Sequence, residues 1–397
     1  MTNEALPTTA APPITEVTLK GLAFSNITTM LLLDGATASL YGPLLSNIAQ
    51  RFHVSLPQAG FVLSVHFVGA GVGVPLGWIA LKRYQGRVGL AFMLAALALG
   101  ALDVAFARAW PLFLVGVFVV GIAFGGLDYA LNALLARTSL RGRARRLSLA
   151  NAGYGIGSVI GPLMVILVRP HHFPELFVAV AIIAIALSML NRGILAPPQT
   201  AEARQHELDT VHAQRRPILI TFVVGYVLYV AVESSASGWI ASLVHGEGHS
   251  VSLGSLVTGG FWLGLTVGRL FGGPLHKRFS VQFLVLGGLA VAIVLALVAY
   301  SSAAAPFVYP LIGVALASVY SMALIWYTVL CPNDSDGLFL LIFFMMAGGI
   351  IGPGLESLSV SLVGIHAVPI VTASLAALDL MVFASARRFA PLATRTP

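Results

Sequence analysis

The sequence predicts an all-α integral membrane protein: twelve transmembrane helices in two pseudo-symmetric bundles of six. Three observations predict it. Of 397 residues, 58% are hydrophobic and only 9% charged, with a mean hydropathy of +0.92, whereas soluble domains carry about 25% charged residues. Apolar runs of roughly 20 residues recur along the chain, each enough to cross a hydrocarbon core about 30 Å thick. Motifs of the first half also return in the second at a nearly constant offset.

The runs lie at 19–49, 57–80, 88–107, 109–135, 146–168, 173–192, 217–244, 251–277, 280–301, 305–330, 337–362 and 366–386. Residues 1–17 are polar and proline-rich, without the basic n-region or small-residue cleavage site of a signal peptide, so they read as a disordered cytoplasmic tail. Helices 1 to 6 form an N-terminal bundle over 18–192. The longest later polar stretch, 196–217, breaks the apolar pattern and assigns a cytoplasmic linker to 193–216. A C-terminal bundle follows over 217–386, then a tail over 387–397. The first, fourth and seventh runs exceed the spanning minimum and are expected to tilt or protrude.

A net charge of +7 invites a nucleic-acid partner, but the placement of the charges argues otherwise. With both termini cytoplasmic, all but four of the 22 Lys and Arg fall on that side. Arg51, Arg108 and Arg169 fall outside, and Arg269 within helix 8. That is the positive-inside asymmetry. The charge therefore reports orientation in a bacterial inner membrane, where the partners are the bilayer and a small-molecule substrate. The chain is read as a monomer. Its single cysteine, Cys331, forms no internal disulfide. There is no P-loop to harness ATP, no enzyme motif, and no metal or cofactor signature; His171-His172 stands too isolated for a metal site.

The halves echo each other. Gly157 to Pro162 in helix 5 matches Gly348 to Pro353 in helix 11, offset 191. Gly77 through Arg83 resembles Gly273 through Arg278, offset about 195, and Asp34 in helix 1 is paired with Glu233 in helix 7, offset 199. Such symmetry places a substrate between the repeats at mid-membrane, with transport by rocking of one bundle against the other.

Three carboxylates stand within apolar helices: Asp34, Asp128 and Glu233. An ionisable side chain near the bilayer centre costs roughly 2.5–3.5 kcal/mol on insertion scales, so it normally faces a watery path or a partner. All three are candidates for proton coupling, the alternative being a hydrogen bond to a neighbouring helix. Asp128 and Asn132 share a helical face, suited to a polyhydroxyl ligand. Tyr226, Tyr229, Glu233 and Ser237 form one stripe of helix 7; tyrosine offers a sugar a flat apolar face and a hydroxyl. Asn151, Tyr154 and Ser158 share a face of helix 5, open to a cavity role or to interhelical bonding. Helix 10 offers Tyr320, Trp326 and Tyr327, with Tyr320 the counterpart of Asp128 at offset 192. Tyr41, Trp239 and Trp262 complete the candidate substrate contacts. Arg83, Arg87, Arg269 and Arg278 are candidate gates, Arg269 alternatively a structural ion pair. His66 is read as a hydrogen-bonded structural histidine. Glu356 and Asp379 are read as peripheral, with Asp379 paired to a cytoplasmic arginine.

Several of these segments resemble the major facilitator superfamily over essentially the whole chain: Tyr41 to Leu45, the Gly69/Gly71/Gly73/Gly77 ladder with its basic loop, and Arg141 to Arg146. Within it, Gly125 to Asp128 with Asn132, Leu228 to Glu233 with Gly238-Trp239, and Phe261 to Leu270 resemble the fucose-permease-like hexose:proton symporters. The resemblance implies a cavity lined by helices 1, 4, 7 and 10, a helix 1 aspartate handling the proton, and an acidic helix 4 residue coupling sugar to proton. Two departures stand out. The loop after helix 2 has Leu81 where the superfamily has an acid, and Gly86-Arg87 comes two residues late. Helix 5 has part of an antiporter signature, with Leu163-Met164 in place of its second glycine pair.

The expected function is secondary active transport: proton-coupled symport of a sugar or similar small polar solute by alternating access, with no cofactor beyond the co-transported proton. The alternative is proton-driven efflux of hydrophobic or cationic compounds, favoured by acids beside aromatics. A sensor on the same scaffold would need a signalling domain, which the sequence does not offer.

Overall fold

The computed structural model describes residues 17–20, 22–139, 142–168, 172–195, 216–332 and 334–389. The expected terminal tails and linker, and Arg141, fall wholly or mostly outside them.

Among the described residues twelve α-helices follow one another: α1 (Ala23–Phe52), α2 (Leu56–Arg83), α3 (Gly86–Phe106), α4 (Trp110–Ala136), α5 (Arg143–Leu167), α6 (Phe173–Met189), α7 (Arg216–Gly246), α8 (Val251–His276), α9 (Val281–Val298), α10 (Ala305–Leu330), α11 (Ser335–Val363) and α12 (Ala367–Ala386). Among the described residues, ten are long and apolar enough to cross a membrane. Of the other two, α6 has 17 residues, and α1 is diluted by Asn26, Asp34 and several Ser and Thr. The helix starts have local causes. Ser55 and Gln58 form a reciprocal capping box at α2, and Ser250 and Ser280 accept from the third residues of α8 and α9. Each supplies a partner to an otherwise orphaned first-turn amide.

The first helix begins later than its apolar run suggests. Thr18–Leu19 (β1) is instead a short strand paired antiparallel with Ile194–Leu195 (β2), Thr18 opposite Leu195. The strap ties the start of α1 to the chain leaving α6.

Helix pairs α1/α5 and α7/α11 pack by the same device. A Cβ on Gly157 or Gly161 would collide with the carbonyls of Leu32 and Ala36; one on Gly348 or Gly352 would collide with those of Val227 and Ala231. Leu32 to Val227 and Ala36 to Ala231 are both offset by 195, so the packing corrects the pairing of Asp34 with Glu233. Asp34 is matched by Tyr229, and Glu233 stands one turn further along its helix. For α4 and α10 the predicted offset of 192 holds: Phe118 and Ile122 receive Gly69 and Gly73 as Pro310 and Val314 receive Gly264 and Gly268.

Twelve crossings bring the start of α1 and the end of α12 to one face, the basic face, where Arg83, Arg87 and Arg278 are exposed. The bundles meet from the midplane to the opposite, far face. There Gly42 packs on Ser237 and Gly238, Gly60 on Trp239 and Ser357, and Gly349 on the Phe67 ring. Ser64 Oγ donates to the Ile350 carbonyl at 2.8 Å. Gly155 against Thr266 closes the midplane. Towards the basic face, the described ring contact between bundles is Tyr129 against Phe339, centroids 6.3 Å apart. The molecule is thus sealed on its far face.

Candidate functional site

Asp34 lies eleven residues into α1, roughly 16 Å from its start at 1.5 Å per residue. It is buried, and its Oδ2 has no hydrogen-bond partner. Gly35 beside it lets the α5 backbone at Tyr154 approach. Asp34 and Asp128 lie within electrostatic reach of each other. From Asp128 a polar relay runs across two helices. Its Oδ1 accepts from Asn132 Nδ2 at 3.1 Å, and Asn132 Oδ1 accepts from Asn151 Nδ2 at 3.0 Å. Exposure rises along the relay, from half-buried Asp128 and Asn132 to exposed Asn151, in the basic-face half of α5.

Across the seam, Glu233 Oε2 and Arg269 Nη2 form an ion pair at 3.7 Å. The Arg269 guanidinium also lies over the Tyr320 ring, 5.6 Å from its centroid, and the Tyr229 hydroxyl sits beside both charged groups. Tyr154 is the hub, with Asp34, Asp128, Glu233 and Arg269 all within reach of its phenol. Its ring meets that of Trp262 at 6.5 Å across the α5/α8 boundary. Acids from three helices, one arginine and a set of tyrosines therefore converge between the bundles, where ionisable side chains need a watery path or a partner.

The Major Facilitator Superfamily matches this sequence over residues 27–353. The chain belongs to that superfamily. It is a membrane transporter and not an enzyme. It is similar to the cis,cis-muconate transport protein of Acinetobacter baylyi, 24% identical over 73% of this chain and 75% of that protein. It is also similar to the gallate transporter of Pseudomonas putida, 25% identical over 66% and 68% of the two chains. Among solved structures, a bacterial homologue of the human lysosomal transporter Spinster, inward-facing and occupied, superposes with TM-score 0.73 at 14% identity, covering 95% of this chain and 98% of that one. The superfamily transporter FucP, outward-facing, gives 0.63 at 18% identity over 91% and 98%.

In this superfamily member the other candidates lie apart from the central group. Tyr41 is buried within the N-terminal bundle between His66 and Phe177. Tyr226 is buried and spends its hydroxyl on the Tyr320 carbonyl at 2.8 Å, which splits the predicted α7 stripe. Tyr327 donates to Asp334 Oδ2 at 2.6 Å, bracing the carboxylate that caps α11. Trp239 is buried in the far-face seam against Gly60. Of the gate arginines, Arg83, Arg87 and Arg278 are on the basic face, while Arg269 takes the ion-pair role.

Three expectations are corrected. Both ring nitrogens of His66 lack partners; it is held by the Tyr41, Phe67 and Phe124 rings and not by hydrogen bonds. Asp379 meets no arginine among the described residues: both its oxygens are buried and unpartnered. Glu356 is not peripheral but fully buried. Thr266 was not singled out, although it faces Gly155 one turn before Arg269; only its spacing from Arg269 could have flagged it.

Proposed function

We propose that the chain carries a small polar solute across a bacterial inner membrane together with a proton, its basic face towards the cytoplasm. The convergence of Asp34, Asp128 and the Glu233–Arg269 pair around Tyr154 carries this reading. A carboxyl taken out of water is a place to load and release a proton. The relay Asp128–Asn132–Asn151 supplies both acceptors and donors for hydroxyls. With the far face sealed, the drawn state is the one that releases solute to the cytoplasm. Uptake then requires the seam to part while the basic face closes.

The class of solute has two readings. Tyrosines beside amides and acids suit a sugar. Arg269 favours a carboxylate-bearing solute instead, since a guanidinium matches a carboxylate in two parallel hydrogen bonds. The similar proteins named as carriers of muconate and gallate point the same way.

Proteoliposomes with an internal pH dye test both. Hexoses, pentoses, gallate and cis,cis-muconate are added outside in turn, with Asp34→Asn in parallel. Acidification by one solute that vanishes in the variant establishes symport and its class. Silence from folded protein across the panel overturns the reading in favour of proton-driven export of lipophilic cations.

A further inference from the structure

A second set of buried polar groups lies inside the C-terminal bundle, away from the central group. Glu356 on α11 is completely buried, and neither carboxylate oxygen has a well-formed hydrogen bond. It stands one turn beyond Gly352, where α11 packs on Ala231 of α7, and next to Ser357, which meets Gly60 in the far-face seam. The groups around it come from every neighbouring element. From α7, fully buried Ser235 approaches the carboxylate, and Trp239 packs beside Gly60 and Ser357. From α10, Tyr309 lies within electrostatic reach of both Glu356 and Glu247, and its hydroxyl is beside Thr372 of α12. On α2, the Ser64 hydroxyl is committed to the Ile350 carbonyl. No Lys, Arg or His among the described residues pairs with Glu356.

Glu247 is the outermost member. It lies in the turn after α7, its carboxylate oxygens shielded and unpartnered, with His249 and His366 within reach. Tyr309 and Thr372 are fully buried with orphaned hydroxyls. Buried polar atoms without partners are costly and uncommon. Here they fall in sequence from the far-face loop to the seam, each a hydroxyl or carboxyl able to pass a proton, and none is used by the central group.

We propose that Glu356 is a second protonation site, served from the far face through Glu247, Tyr309 and Thr372 and separate from the solute cavity. It exchanges protons with the far-face solution even while the seam is shut. A neutral Glu356 is compatible with the dry contact of α11 on α7 and α2. An ionised one places an unpaired charge beside that contact and favours its parting. The site thereby reports far-face acidity to the seal, whatever the solute.

Infrared spectroscopy of the full chain in lipid vesicles oriented far face outward tests this without any solute. The expected result is a protonated-carboxyl band that disappears as the bath is stepped from acid to alkaline, is lost in Glu356→Gln and shifts in Glu356→Asp. Glu247→Gln and Tyr309→Phe should keep the band but slow its response at least several-fold. A band indifferent to bath pH overturns the proposal, as does a response equally fast in both conduit variants. Asp34→Asn, expected to leave the band untouched, separates this outcome from any failure of proton-coupled transport at the central group.

Discussion

At the residue scale the central ion pair is the feature most open to test. Glu233 and Arg269 are each partly solvated, so their attraction is screened, yet removing one leaves the other without its ion-pair partner. Glu233→Gln and Arg269→Gln should each destabilise the protein by about 1–3 kcal/mol. The double variant should cost less than the sum of the two. Thermal melts in detergent give the comparison; strict additivity would show that the pair is geometric and not energetic. Asn132→Ala interrupts the Asp128–Asn151 relay at two hydrogen bonds. It should weaken solute binding by about 1–2 kcal/mol, roughly ten-fold, in isothermal titration of whichever solute acidifies the vesicles. Glu247, outside the membrane spans, gives a pH signature. Burial pushes its carboxyl up from the ordinary value, with His366 and His249 pulling it back. The folded protein therefore holds this proton more tightly than the unfolded chain does. Its contribution to stability is greatest below the ordinary carboxylate range and declines as pH rises through the folded value. Glu247→Gln should flatten that decline in melts across pH, and an unchanged slope would assign it elsewhere.

At the element scale, length and position of the helices were legible because apolar runs and polar interruptions are written directly in the chain. What was not legible follows from packing. Thr18–Leu19 looks like the start of an apolar run and only becomes a strand because Ile194–Leu195 lies beside it, a pairing nearly 180 residues distant in sequence. The match of Asp34 with Glu233 rested on residue type, whereas register is set by where backbones touch, at Leu32 with Gly157 and Val227 with Gly348. The central group was largely readable, since a carboxylate in an apolar helix is conspicuous. Which tyrosines join it was not: Tyr226 and Tyr229 are three residues apart, yet one bonds a backbone carbonyl and the other adjoins the ion pair. Glu356 and Asp379 were misplaced because the helix a residue belongs to does not reveal which face its side chain takes. The glycine contacts themselves predict an outcome. Gly157→Val and Gly348→Val each drive a side chain into a facing backbone that has no rotamer to yield. Overpacking costs about 1–3 kcal/mol, and more against backbone. Both variants should lose the monodisperse peak in fluorescence-detected size-exclusion, and by equal measure if the two halves are equivalent.

At the scale of the whole molecule, alternating access requires that the far-face seam be a moving boundary. Its composition suits that role. Small residues and single rings meet across it, with the Ser64–Ile350 hydrogen bond between, and the strongest polar contacts lie deeper, at the Glu233–Arg269 pair. Such a surface holds by close fit and can part without stranding charges. A cross-link decides the point. A Cβ built on Gly354 falls 3.1 Å from Ser64 Oγ with no closer neighbour, so Gly354→Cys and Ser64→Cys can join α11 to α2, and the native Cys331 is buried and far along the chain near the basic face. In a Cys331→Ser background, oxidation of this pair should abolish solute-driven acidification of vesicles, and reduction should restore it. A further Asn151→Cys, on the exposed end of the relay, should still react with a maleimide from the basic face after oxidation. Loss of transport with retained labelling marks a carrier arrested with its far face shut. Transport that persists through a complete cross-link would show that solute crosses without parting this seam, and the rocking of one bundle against the other would have to hinge elsewhere.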